Sequence, residues 1–84
     1  MYVYFITFRS VTPAQRGEHL LRKNGFRCVI QRTPRWMQEN GCGYCIRLST
    51  DRIEEVVRRL AKAEIPFRKV YRQNMDGSTE EIQI

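Results

Sequence analysis

Acidic residues are scarce in this chain of 84 residues. Nine Asp and Glu stand against fifteen Lys and Arg, a formal net charge of +6. A basic balance of this kind is compatible with nucleic acid or an acidic partner. The arginines are scattered from Arg9 to Arg72 without forming a basic block, so the charge reads first as a solvated surface. Long hydrophobic runs are also missing. None approaches the roughly 20 apolar residues that span a bilayer. The opening stretch, Met1 to Phe8, is apolar but short, with no basic leader and no small-residue cleavage site, and does not read as a signal peptide. A cytoplasmic location is expected. There are three cysteines, an odd number that argues against a secreted disulfide scaffold, and one histidine. Paired carboxylates, a phosphate loop and a serine–histidine arrangement are all absent, so nothing suggests a hydrolase or a nucleotide enzyme. No cofactor is expected.

What remains is enough for one domain with a modest core. Tyr2 to Phe8 is β-branched and aromatic and predicts a strand with apolar groups on both faces. Thr12, Pro13 and Gln15 read as the N-cap, first turn and capping box of a helix that Gly25 ends. Phe26 to Gln31 predicts a second strand. Tyr44 to Leu48 predicts a third, with Tyr44, Ile46 and Leu48 on one face and Cys45 and Arg47 on the other. Asp51 opens a second helix whose stripe is Ile53, Val56, Val57, Leu60 and Ala63, and Pro66 stops it. Phe67 to Tyr71 predicts a fourth strand.

The order βαββαβ predicts a ferredoxin-like α/β sandwich, with a four-stranded antiparallel sheet and both helices on one face. Residues 1–72 form the domain in this reading, and 73–84 a polar, flexible tail. The sheet face away from the helices then keeps apolar groups for the tail or a partner to cover, which makes a homodimer through that face an expectation.

Sulfur chemistry is suggested by one stretch, Thr33-Pro34-Arg35-Trp36-Met37-Gln38-Glu39-Asn40-Gly41-Cys42-Gly43-Tyr44-Cys45. Cys42 stands between two glycines at the end of a polar loop. Glycine lets backbone approach a ligand closely. Gly41 and Gly43 can leave their N–H groups free to face the sulfur, as in an anion-binding nest. Arg35 is a permanent cation that favours thiolate if the loop folds back. An apolar role for Cys42 would not require flanking glycines.

Three other readings compete. Cys42-Gly43-Tyr44-Cys45 is a C-x-x-C that could cycle between dithiol and disulfide. In an extended chain the two Cα atoms would lie roughly 10 Å apart, beyond the bridging limit near 7 Å, unless Gly43 turns. Cys45 could alternatively act as a resolving thiol that releases cargo from Cys42. Zinc lacks support: one C-x-x-C gives two ligands, and Cys28 and His19 have no convincing spacing. Cys28 reads as a buried small hydrophobe and His19 as a surface residue. An RNA-binding sheet using Tyr2, Tyr4 and Tyr44 is the third reading. Cys42 and Arg47 stand where stacking would need aromatics, and Tyr44 belongs to the helix side, so nucleic acid is disfavoured.

The order of elements, together with Thr33-Pro34-Arg35 and Cys42-Gly43 at the start of the third strand, resembles the selenium/sulfur carrier-like family. These are small bacterial proteins linked to sulfur and selenium metabolism. Phe8, Ser10, Glu18 and Leu21 also resemble the family pattern. The resemblance implies a carrier thiol at Cys42, with Thr33, Pro34, Arg35 and Gly43 forming its loop. It implies protein donors and acceptors of sulfur or selenium, and a carrier rather than an enzyme. Two features depart from the family pattern. Gln38, Glu39 and Asn40 stand where small hydroxyl residues are usual, and Cys45 is an addition.

Overall fold

A computed structural model of the chain describes residues 2–34 and 43–83. Its elements are β1 (Tyr2–Phe8), α1 (Val11–Lys23), β2 (Cys28–Arg32), β3 (Tyr44–Thr50), α2 (Ile53–Lys62), β4 (Val70–Gln73) and β5 (Thr79–Ile82). The strands form one antiparallel sheet in the order β2-β3-β1-β4-β5. The four-stranded sheet expected from the sequence is therefore corrected to five strands.

The fifth strand arises from a hairpin in the region read as a tail. Asp76-Gly77 is a turn dipeptide, and Gly77 adopts φ of +89°. Asn74 N–H donates to the Ser78 carbonyl at 2.7 Å, and Ser78 N–H donates to the Asp76 carboxylate at 2.9 Å. The register then sets Glu80 opposite Arg72 and Glu81 opposite Tyr71. Ion pairs join Glu80 to Arg72, and Glu81 to Lys69 at 3.4 Å. The hairpin extends the sheet at its edge instead of lying across the face.

Alternation along the strands sorts the two faces. Tyr4, Ile6 and Phe8 of β1, with Ile46 and Leu48 of β3, meet Leu21 of α1 and Val56 and Leu60 of α2 in the main core. Gly17 lets α1 come close. A Cβ there would lie 3.1 Å from Ile46 and 3.3 Å from Leu60. The opposite face carries a smaller buried cluster, Phe5 and Cys45, flanked by Val3 and Tyr71.

Helix ends differ in detail from the sequence reading. α1 begins earlier, with Ser10 as N-cap, and neither Ser10 nor Arg52, the N-cap of α2, uses its side chain as a cap. Pro13 still falls in the first turn, where its missing N–H costs nothing. Gly25 sits at φ +88° with Phe26 N–H bonded to the Leu21 carbonyl, the closing arrangement expected of a C-terminal glycine. At the matching position of α2 stands Glu64, at φ +58°, with Ile65 N–H bonded to the Leu60 carbonyl. A left-handed conformation costs a residue with a Cβ roughly 1 kcal/mol. Glu64→Gly should therefore raise stability by about 1 kcal/mol, read as a higher denaturant midpoint at unchanged slope. An unchanged or lower midpoint would mean that the Glu64 side chain contributes more than its backbone strain removes.

The free edge of β2 is closed by α1. Arg22 donates to the Cys28 carbonyl at 2.9 and 3.1 Å, and Ile30 N–H donates to the Glu18 carboxylate at 3.3 Å. Glu18 and Arg22 also pair with each other at 3.5 Å. Side chains thus occupy backbone groups that would otherwise template another strand.

Candidate functional site

The loop between β2 and β3 is anchored at its base. Thr33 N–H donates to the Gly43 carbonyl at 3.0 Å, continuing the pairing of Arg32 with Tyr44 by one more step. Gly43 lies against β1: a Cβ there would sit 3.2 Å from the Phe8 carbonyl oxygen and 3.4 Å from the Thr33 hydroxyl. The close approach, rather than a positive φ, is what favours glycine here. Thr33 and Gly43, expected from the sequence to belong to one loop with Pro34, thus meet at its foot, and Pro34 follows Thr33 on the groove side. Arg35, Gly41 and Cys42 lie outside the described residues, as does Trp36.

Gly43→Ala tests this base. The nearest obstacle is backbone, which cannot rotate away, so overpacking should cost about 1–3 kcal/mol of stability. Chemical denaturation measures it. A midpoint equal to wild type would show that β1 and the loop base separate freely.

The two described cysteines are both buried. Cys45 is 0 % exposed and faces the side of the sheet away from the helices. Register places it between Gln31 of β2 and Thr7 of β1. Burial pushes its thiol pKa up, while hydrogen bonds with the Gln31 and Thr33 side chains pull less strongly the other way. Cys28 is 5 % exposed and packs in the main core, as the sequence reading has it. Its thiol donates to the Glu18 carbonyl at 3.8 Å. Burial raises its pKa first, the Glu18 carboxylate adds to the rise, and Arg22 opposes it. Both sulfurs are therefore held as neutral thiols, the poorly nucleophilic form. His19 is exposed on α1, and no group of three or more metal-ligating side chains occurs among the described residues.

Beside Cys45, the residues Gln31, Arg47, Phe5 and Gln73 line a groove of about 500 Å³ on the same face, with Pro34 at its loop end and Ser78 and Thr79 at its hairpin end. Sequence alternation already put Arg47 on the face of Cys45. Gln31 and the hairpin residues could not be placed there without the strand register and the fifth strand. Tyr44 packs against the main core with Tyr4, on the helix side, so neither offers a ring to the opposite face.

The model of the family described as Putative Se/S carrier protein-like matches residues 3–72. No curated protein and no solved structure matches the chain. The family match ends within β4, at residue 72, so the groove residues Gln73, Ser78 and Thr79 lie beyond it. No helix among the described residues is long and apolar enough to cross a membrane.

Proposed function

From the premise that this chain belongs to the Se/S carrier protein-like family, we propose that it carries sulfur or selenium on Cys42. The cargo is held as a persulfide or perselenide and passed to a partner protein. The observation that carries the assignment is the state of the other two cysteines. Cys28 and Cys45 are buried, with their thiol pKa values raised. Thiolate chemistry then falls to the third cysteine, which follows the Thr33-Pro34-Arg35 segment and precedes the glycine that pins the loop base.

The chemistry requires one nucleophile. The Cys42 thiolate attacks the outer sulfur of a donor persulfide. A new S–S bond forms, the donor's S–S bond breaks, and the donor thiolate leaves with the electron pair. A thiolate of the acceptor repeats the step on the loaded Cys42, so no oxidant is consumed. Arg35 and the amides of Gly41 and Gly43 would raise the thiolate fraction of Cys42. Thr33 and Pro34 would hold the loop. Donor and acceptor proteins in the cytoplasm stand at the two ends of this relay. The strands β2-β3-β1-β4 with both helices on one face support a ferredoxin-like reading of the domain, to which β5 is an addition.

The raised thiol pKa and burial of Cys45 weigh against a dithiol cycle with Cys42, because a resolving thiol must be accessible and ionised. Intact mass after incubation with a persulfide donor tests the carrier reading. The expected result is a gain of one sulfur, located at Cys42 by peptide mapping and removed by reductant. Loss of two hydrogens, with a Cys42–Cys45 disulfide, would establish the redox reading instead.

A further inference from the structure

The groove on the second sheet face has the chemistry of an anion site. Register runs a row across this face through Val29, Arg47, Phe5, Tyr71 and Glu81. Arg47 is exposed in that row, between an exposed Val29 and a buried Phe5. Its guanidinium has no ion-pair partner among the described residues. Two uncharged amides, Gln31 and Gln73, and the Thr79 hydroxyl line the groove with it, while the Ser78 hydroxyl beside them gives its proton to Asp76. No carboxylate does. Glu81, on the same face, is paired with Lys69 at 3.4 Å. Asp76 is turned into its own hairpin, where the Ser78 N–H and hydroxyl both donate to it, at 2.9 and 2.6 Å. A planar fork of donors with amides and a hydroxyl around it suits an oxyanion.

The groove also reaches the carrier loop, because Pro34 forms one end of its wall. We infer that this groove binds the oxyanion head of a small sulfane-sulfur donor of the thiosulfate class, and presents its outer sulfur to the loop. This inference rests on the reading of Cys42 as carrier. The step balances without a further reactant. The Cys42 thiolate attacks the outer sulfur of thiosulfate, the cysteine–sulfur bond forms, the S–S bond of thiosulfate breaks, and sulfite leaves with the electron pair. Arg47 holds the sulfonate end, which keeps the negative charge throughout and carries the electron pair away as sulfite.

Two measurements test it separately from the carrier reading. In the first, thiosulfate and then sulfate are titrated into the Cys42→Ser chain and followed by amide and guanidinium NMR signals. Saturable shifts are expected at Arg47, Gln31, Gln73, Ser78 and Thr79. Arg47→Gln should weaken binding about tenfold or more, the loss of one charge-assisted contact, with Arg47→Lys in between. The exposed Arg58→Gln should leave binding unchanged. Absence of saturable shifts, or equal weakening by Arg58→Gln, would overturn the site. In the second, loading of the wild-type thiol is followed by mass with thiosulfate and with an uncharged organic trisulfide. Arg47→Gln should need about tenfold more thiosulfate and the same amount of trisulfide. Equal loading from both donors in Arg47→Gln would overturn the donor assignment while leaving the carrier standing. Failure of the wild type to load from either donor, with anion binding intact, would remove the carrier reading and leave an anion groove.

Discussion

The Cys42→Ser chain should take up no sulfur from a persulfide donor, whereas Cys45→Ser should still take up one atom. The reason is the unequal condition of the three thiols. Cys28 is closed into the core between β2 and α1, and Cys45 is fully covered beneath the second face. Burial shifts each toward the neutral thiol, and the neutral thiol does not attack. Cys45→Ser puts a smaller, stronger hydrogen-bonding group beside Gln31 and Thr33, so a folded variant is expected. The measurement is reductant-sensitive mass gain in both variants. Full loading of Cys42→Ser would move the carrier site to a buried cysteine and require the sheet to open. Equal failure of both variants, with the wild type forming a Cys42–Cys45 disulfide, would favour the C-x-x-C cycle.

Phe8→Ala should remove much of the stability of the fold. The Phe8 side chain is 2 % exposed in the main core. Its ring edge is among the nearest atoms to the glycine that lets α1 approach the sheet, 3.4 Å from where a Cβ on Gly17 would stand. Its backbone also carries the carbonyl against which Gly43 packs. Truncation leaves a cavity at the junction of α1, β1 and β3, at a cost of about 3–5 kcal/mol. A chain of this length has a total stability of roughly 4–13 kcal/mol. Urea denaturation should therefore show a large fall in midpoint or a partly unfolded protein in buffer. Val29→Ala, at a position 44 % exposed, should shift the midpoint by less than about 0.5 kcal/mol. Comparable shifts in the two variants would mean that the core does not converge on Phe8.

A strict alternation or a clear stop signal made part of the molecule readable from sequence. Tyr44, Ile46 and Leu48 share one face of β3 and Cys45 and Arg47 the other, because successive side chains in a strand point opposite ways. Gly25 ends α1 because a left-handed residue there is cheapest without a Cβ. The burial of Cys28 followed from its place within a strand. The fifth strand is not legible in the sequence although Asp76-Gly77 marks a turn. Polarity of the segment 73–84 masked the signal, since Glu80 and Glu81 find cations in Arg72 and Lys69 only after the register is set. The closing of β2 by Glu18 and Arg22 was equally hidden, because it joins residues on different elements.

The local chain determined β1 to β4 and both helices, and that the sequence segment carrying Cys42 falls between β2 and β3. Periodicity, turn residues and glycine positions act over a few neighbours and need no fold to be effective. Only the tertiary structure decided that Cys45 is sealed under Gln31 and Thr33, and that Arg47 shares a groove with Gln73 and the β4–β5 hairpin. Those residues come from separate strands. Their meeting depends on strand order and register, which are set by burying the main core against both helices and which no local pattern encodes.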